Sequence, residues 1–183
     1  MVNEYNIGAE NQGIAEDEMH AVVGNLIDIT PSAALSGPQF EGFDIAAVGM
    51  GWHHFDNPTL AAKRLAERLK IGGVLLIIDF LPFAAPGHSH GHSHSHSHSH
   101  KSESQDHHHD HINAKGKESD EKPHPASHTI THLGFSEDDT RKMFEEAGVG
   151  GSFEYVTLGK GVVFTNNGDE MKRSVFMARG RKV

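Results

Sequence analysis

Two apolar stretches decide the fold: FDIAAVG at residues 43–49 and VLLIID at residues 74–79. Each is short and nearly continuous in apolar side chains, which is typical of a strand buried on both faces in a parallel sheet. Between them, Asn57 followed by Pro58 is typical of a helix start, with a polar cap and proline at the first helical position. The alternation of strand, helix and strand predicts an α/β protein.

Further elements extend this pattern in both directions. We predict a helix at Met1–Gln12, a short strand at Ala21–Ile27, a helix from Asn57 that stops at Gly72, a helix from Ser136 to Gly148, β structure at Phe153–Phe164 and a last strand at Ser174–Ala178. The last two strands, separated by turn residues, predict an antiparallel edge on an otherwise mostly parallel sheet.

Composition changes abruptly at Pro86. Residues 86–127 are mostly His, Ser, Lys, Asp, Glu, Gly and Pro, with too few apolar side chains to offset the entropy of ordering them. We therefore predict one domain in two parts, residues 1–85 and residues 128–183, interrupted by a disordered His-rich insert at residues 86–127. Such an insertion costs little, because loop-closure entropy grows only with the logarithm of length.

Charge and composition exclude several classes of function. The 183 residues include 25 acidic and 16 basic side chains, a formal net charge of −9, and no cysteine. The basic residues form no sustained stripe, so we expect no nucleic-acid partner, and thiolate chemistry is excluded. The run Val74–Ile78 is too short to span a bilayer, and the first residues do not resemble a secretory signal. We expect a soluble cytoplasmic protein without a membrane partner.

The insert itself suggests metal binding. Seven of its histidines alternate with other residues, and alternation in an extended chain places side chains on one side. Imidazole is a good ligand for zinc and nickel. The candidate metal ligands are His88, His90, His92, His94, His96, His98, His100, His107, His108, His109 and His111. The alternative interpretation is a repeat expansion tolerated in a surface loop.

Three polar residues follow the predicted central strands. His53 and His54 come just after the strand at residues 43–49, and Asp79 ends the strand at residues 74–79. In open α/β sheets, ligands bind beyond the carboxyl ends of the strands. Because histidine titrates near neutrality, His53 and His54 are candidate catalytic bases. They could instead shape the turn before Asn57, and Asp79 could either cap a loop or form a polar wall of a pocket.

Several segments, taken in order, resemble class I S-adenosylmethionine-dependent methyltransferases of the small-molecule type. Residues 43–55 resemble the fourth strand and following turn of that family, and residues 69–79 resemble its LKPGG segment and fifth strand, with Ile71 in place of proline. Residues 132–136, 145–148 and 153–155 resemble the later helix and sixth strand, and residues 172–180 resemble the final strand. The resemblance implies a partial Rossmann-like methyltransferase sheet.

The resemblance also implies a cofactor, S-adenosylmethionine. It places Asn25 and Leu26 against the adenine ring and the backbone of Val48, Gly49 and Met50 along the cofactor. For Asn25, an ordinary Asx turn is the alternative. The family's glycine-rich loop and the acidic residue that binds ribose have no counterpart in the sequence. We therefore expect a truncated chain that binds the cofactor weakly or not at all and exposes an unpaired sheet edge for another chain.

The sequence thus supports two functions of different classes. The first is methyl transfer from S-adenosylmethionine to a small-molecule acceptor, with this chain inactive by itself if it is truncated. The second is a zinc- or nickel-binding protein that acts through the His-rich loop and uses the α/β body as a scaffold. A regulatory fragment that pairs with a complete methyltransferase subunit is a third interpretation.

Overall fold

A computed structural model describes residues 1–28, 30, 32–83, 129–166 and 169–183. Its helices are α1 (Val2–Asn11), α2 (Pro58–Arg68) and α3 (Glu137–Glu146), and its strands are β1 (Phe43–Gly49), β2 (Leu69–Phe80), β3 (Gly151–Asn166) and β4 (Asp169–Arg181). Three short 3₁₀ turns lie at Ala33–Leu35, Pro38–Phe40 and Trp52–His54. The predicted boundaries of the insert and of the two domain parts lie at or beyond the edge of the described residues.

The four strands form one sheet in the order β1-β2-β4-β3. β1 and β2 run parallel, with Ala47 beside Leu76. β4 is antiparallel to both of its neighbours and pairs Ala178 with Ile77 of β2. The prediction of an α/β sheet with an antiparallel C-terminal edge is confirmed.

The core lies on the face of the sheet that α2 and α3 cover. Leu75 and Ile77 of β2 alternate with the half-buried Leu76 and Ile78, so only the first pair faces the helices. Phe144 of α3 is fully buried against them. Burying a large apolar side chain of this kind contributes about 1.5–3 kcal/mol.

The predicted start of α2 is confirmed, but its predicted end is wrong. Asn57 caps the helix, its side-chain oxygen accepting a hydrogen bond from the Leu60 amide at 2.9 Å. The helix ends at Arg68 instead of continuing to Gly72, because β2 begins immediately at Leu69. The Lys182 ammonium stabilises this early end by donating to the carbonyl oxygens of Ala66 and Leu69 at 2.8 and 2.7 Å.

Both predicted ends of α3 are confirmed. The Ser136 hydroxyl accepts a hydrogen bond from the Asp139 amide at 3.2 Å and so caps the first turn. Gly148 follows the last turn with a φ of +74°, a conformation that glycine adopts without strain. The amide of Val149 then donates to the Phe144 carbonyl at 2.9 Å, which closes the end of the helix.

The predicted strand at Ala21–Ile27 is wrong. A strand needs a neighbouring strand, and none lies beside this segment among the described residues. Ala21 bonds instead to the Asn6 side chain of α1, which accepts from the Ala21 amide at 2.6 Å and donates to its carbonyl at 3.1 Å. Val23 is consequently 74% exposed.

The second face of the sheet and the edge of β1 are open within the described residues. β1 pairs only with β2, and Ile45 in its middle is 61% exposed. On the same face, Leu76, Ile78 and Val156 are half-buried or exposed. No helix in the described part of the chain is long and apolar enough to cross a bilayer.

We expect this open edge to cause the purified chain to self-associate, because an unpaired apolar strand is a template for pairing. Ile45→Lys should reduce the mass measured by light scattering, since the introduced charge opposes docking. The matched control is Ile71→Lys, at a site 74% exposed but outside the β1 edge, which should leave association unchanged. A wild-type chain that is monomeric at all concentrations would contradict this expectation.

Candidate functional site

Three segments meet at the carboxyl ends of β1 and β2. They are the Trp52–His54 turn after β1, Asp79 near the end of β2, and residues 129–135 before α3. The approach of the third segment is close: a side chain at Gly134 would come within 2.3 Å of the Leu81 carbonyl oxygen. This edge of the sheet is where the sequence predicted the functional site.

Asp79 is the centre of the site and is fully buried. One carboxylate oxygen accepts from the amides of Trp52 and His53 at 2.7 and 3.2 Å. The other accepts from the Phe80 amide at 2.7 Å and from Nδ1 of His53 at 2.8 Å. Every donor is an N–H group, so the carboxylate acts only as an acceptor. Of the two predicted roles, the structure shows that Asp79 caps the turn after β1.

His53 is held by this carboxylate and is only 5% exposed. Its ring lies 5.0 Å from the ring of Phe80 and 4.1 Å from that of His54, between centroids. Because Nδ1 donates to Asp79, the neutral imidazole has its lone pair on Nε2. This is the arrangement in which a carboxylate orients a histidine base.

His54 is half-buried and is held by the segment before α3. Its Nδ1 lies 2.9 Å from the carbonyl oxygen of Thr129 and 3.0 Å from the Thr129 hydroxyl. Since a carbonyl oxygen only accepts, Nδ1 of His54 carries the proton. The structure therefore brings both predicted catalytic histidines together and leaves Nε2 as the acceptor nitrogen of each neutral ring.

The backbone between β1 and the histidines turns sharply. Met50 has a φ of +56°, which is uncommon for a residue with a side chain. Its amide donates to the Ile78 carbonyl at 2.8 Å, which keeps the turn on the end of the sheet. This bond and those to Asp79 together fix the backbone position of His53 and His54.

The predicted cofactor-binding residues lie on two separate segments. Asn25 forms an Asx turn, in which its side-chain oxygen accepts from the Ile27 amide at 3.1 Å and its side-chain amide donates to Asp28 at 2.7 Å. The neighbouring Leu26 is half-buried. The other predicted residues, Val48, Gly49 and Met50, lie at the carboxyl end of β1. Asn25 therefore has the geometry of the alternative that the sequence left open, and its contact with adenine stays a prediction.

Open space borders the carboxyl end of β1, and two cavities lie elsewhere in the described structure. Space beside Gly49 is open, since a side chain there would meet nothing within 4 Å. A cavity of about 320 Å³ lies elsewhere, between the ends of α2 and α3 and beside Lys182. A smaller one of about 30 Å³ lies beside Val74 and Arg179. Both are near the amino end of the apolar part of β2, away from the carboxyl edge.

The predicted metal ligands, His88 to His111, lie outside the described residues. Within the part of the chain that is described, no three His, Cys, Asp or Glu side chains are grouped so that they could hold a metal ion. The metal site therefore stays a prediction.

Sequence reasoning missed Thr129 and Thr131. The Thr131 hydroxyl oxygen lies 3.0 Å from the carbonyl oxygens of both His53 and Phe55, and its single hydrogen can be donated to either. These contacts join residues more than seventy positions apart across the insert. No local pattern in the sequence indicates such a pairing.

Two neighbouring residues of β3, Glu154 and Tyr155, have shifted pKa values. Burial, reinforced by the charge of Glu137, raises the pKa of Tyr155 to about 12, and its hydroxyl donates to the Phe135 carbonyl at 3.2 Å. On the surface, the hydrogen bond from Arg179 lowers the pKa of Glu154. Such an exposed pair contributes little to stability.

We expect Asp79→Asn to lower the free energy of unfolding by about 3 kcal/mol, because an amide nitrogen would then face N–H donors inside the core. Urea denaturation followed by circular dichroism would measure the loss. Asp44→Asn is the matched control, since Asp44 forms an exposed ion pair with Lys70 and should cost less than about 1 kcal/mol. Equal stabilities of the two variants would contradict the central position of Asp79.

The comparisons with known proteins concern the fold. No protein-family model and no curated protein matches the chain. Among solved structures, the YcgJ protein of Bacillus subtilis matches with a TM-score of 0.55 and 13% identity over 100% of this chain and 78% of that one. A protein of Bacillus halodurans assigned as a methyltransferase matches with a TM-score of 0.54 and 15% identity. That match covers 99% of this chain and 78% of the other.

The mitomycin 7-O-methyltransferase MmcR matches with a TM-score of 0.51 and 14% identity over 98% of this chain. The match spans 39% of that enzyme, so this chain corresponds to less than half of its length. The described residues have the fold of class I methyltransferases.

Proposed function

We propose that the chain is part of an enzyme that transfers a methyl group from S-adenosylmethionine to a small-molecule acceptor. The observation that carries the proposal is the buried Asp79–His53 pair at the carboxyl edge of a methyltransferase fold. Neighbours of this fold are methyltransferases by name, and the edge is where such sheets bind ligands.

The proposed chemical role of His53 is that of a general base. An oxygen or nitrogen acceptor must lose a proton as its bond to the methyl group forms, and a positioned imidazole can receive that proton. Asp79 holds Nδ1 at 2.8 Å, so the proton would be received at Nε2. The carboxylate would also stabilise the imidazolium that results, as in other carboxylate–histidine pairs.

His54 is the second candidate for this role. It is less buried than His53, and its ring is adjacent, with 4.1 Å between the centroids. It could receive the proton itself or hold the acceptor in place. Val48, Gly49 and Met50 are proposed to form one wall of the methyl-donor site, and the remaining walls would come from residues beyond those described.

A second candidate function is zinc or nickel binding by His88 to His111. The alternation of seven histidines in the sequence favours it, because several imidazoles can share one ion. The two candidate functions depend on different parts of the chain. Methyl transfer depends on His53 and Asp79, whereas metal binding depends on the insert.

Titration calorimetry and a methyl-transfer assay test the proposal together. We expect weak or no binding of S-adenosylmethionine by the 183-residue chain, and clear binding when a segment with a glycine-rich loop is joined ahead of Met1. In that extended protein, His53→Gln should lower kcat by about 10²-fold or more, the usual contribution of a general base.

The control variant is His20→Gln, which changes an exposed histidine after α1 whose Nδ1 bonds to the Glu16 carbonyl. It should leave kcat unchanged. An extended protein that binds no S-adenosylmethionine would refute the enzyme. Loss of zinc or nickel tolerance on deletion of residues 87–111, with methylation intact, would favour the metal candidate for the insert.

A further inference from the structure

We propose that Thr131 and the backbone of Thr129 are positioning groups that fix the protonation pattern of His54. Both threonines belong to the segment that enters α3, residues 129–132, which is hydrogen-bonded to the Trp52–His54 turn. The consequence of this positioning for rate rests on the proposed methyl transfer, but the structural claim does not.

The carbonyl oxygen of His53 is saturated with hydrogen bonds. It accepts from the amides of Thr131 and His132 at 3.0 and 3.1 Å, and the Thr131 hydroxyl oxygen lies 3.0 Å from it. A carbonyl oxygen has two lone pairs, so the two amides alone use this acceptor fully. The turn is thereby bound to the segment at residues 129–132.

The Thr131 hydroxyl lies near two carbonyl oxygens of the turn. Its single hydrogen lies within reach of the carbonyls of His53 and Phe55, on either side of His54. Because the two amides already occupy the lone pairs of the His53 carbonyl, the hydroxyl hydrogen goes to the Phe55 carbonyl and binds the residue after His54 to the segment at residues 129–132. Removal of the hydroxyl leaves the two amide bonds to His53 in place, so the turn should loosen without unfolding.

The imidazole rings of His53 and His54 are held by different partners. Nδ1 of His53 is held by the carboxylate of Asp79, whereas the partner of His54 Nδ1 among the described residues is Thr129, on the other segment. The hydrogen bond made by one ring nitrogen determines which nitrogen is protonated. Loosening the Thr131 contact should therefore affect His54 and spare His53.

Nitrogen NMR of the imidazole rings in the full chain tests this difference. The signals of His53 and His54 would be assigned by their loss in His53→Gln and His54→Gln. In the wild type, both neutral rings should carry the proton on Nδ1. In Thr131→Val, His54 should lose this single pattern and show both tautomers, and His53 should keep it. Thr131→Ser, which retains the hydroxyl, should match the wild type.

Thr157→Val is the matched control, because Thr157 is exposed on β3 and should leave both rings unchanged. Three outcomes would overturn the proposal: a wild-type His54 protonated on Nε2, an unchanged His54 in Thr131→Val, or equal changes in both rings, which indicate general loosening. The first of these applies even if Thr131→Val does not fold.

An activity measurement separates this proposal from the proposed function. In a protein competent for methyl transfer, Thr131→Val should lower kcat by roughly 10-fold at unchanged KM, since small misplacements of a catalytic group cost up to about 10²-fold. If the His54 tautomer changes in Thr131→Val but no form of the protein transfers a methyl group, the proposed enzymatic function is refuted and the positioning role of Thr131 is established. Activity unchanged by Thr131→Val, together with the altered His54 tautomer, would overturn the link between position and rate.

Discussion

The structure depends on one buried carboxylate. Asp79 lies near the end of β2 inside the core, and four N–H groups from the backbone and from His53 surround it. An unpaired charge at this depth would be strongly destabilising, so the donors and the carboxylate must be present together. Their arrangement is what joins the turn after β1 to the end of β2. The position of the histidine pair is therefore set by the same interaction that completes the core.

This constraint relates the fold to the proposed chemistry. The helix-covered face of the sheet is closed by Trp52, Phe144 and Phe176, all fully buried. The opposite face and the β1 edge are open in the described part of the chain, and Ile45 lies on them exposed. At the carboxyl edge, the turn that contains the histidines is bonded to Asp79, and the space beside Gly49 is open. Such an edge can orient a histidine side chain.

The sequence predicted those parts of the fold that local signals determine. Asn57–Pro58 and Ser136 mark helix starts by their own chemistry, and the apolar runs of β1 and β2 are recognisable without their neighbours. The segment Ala21–Ile27 has the same apolar character, but a strand exists only where another strand accepts its hydrogen bonds. At the site, His53 and His54 were predicted from their position after a strand. Thr131 could not be predicted, because its contact with His53 spans 78 positions across the insert.

Hydrogen exchange at the amides of Trp52 and His53 tests the central position of Asp79 most directly. These two N–H groups lie in a turn, outside any strand ladder, and the carboxylate is their acceptor. The account predicts that in the wild-type chain they exchange as slowly as the amides of the β2–β4 ladder. Exchange as fast as in the exposed segment 22–24 would contradict it, because the turn would then open independently of Asp79.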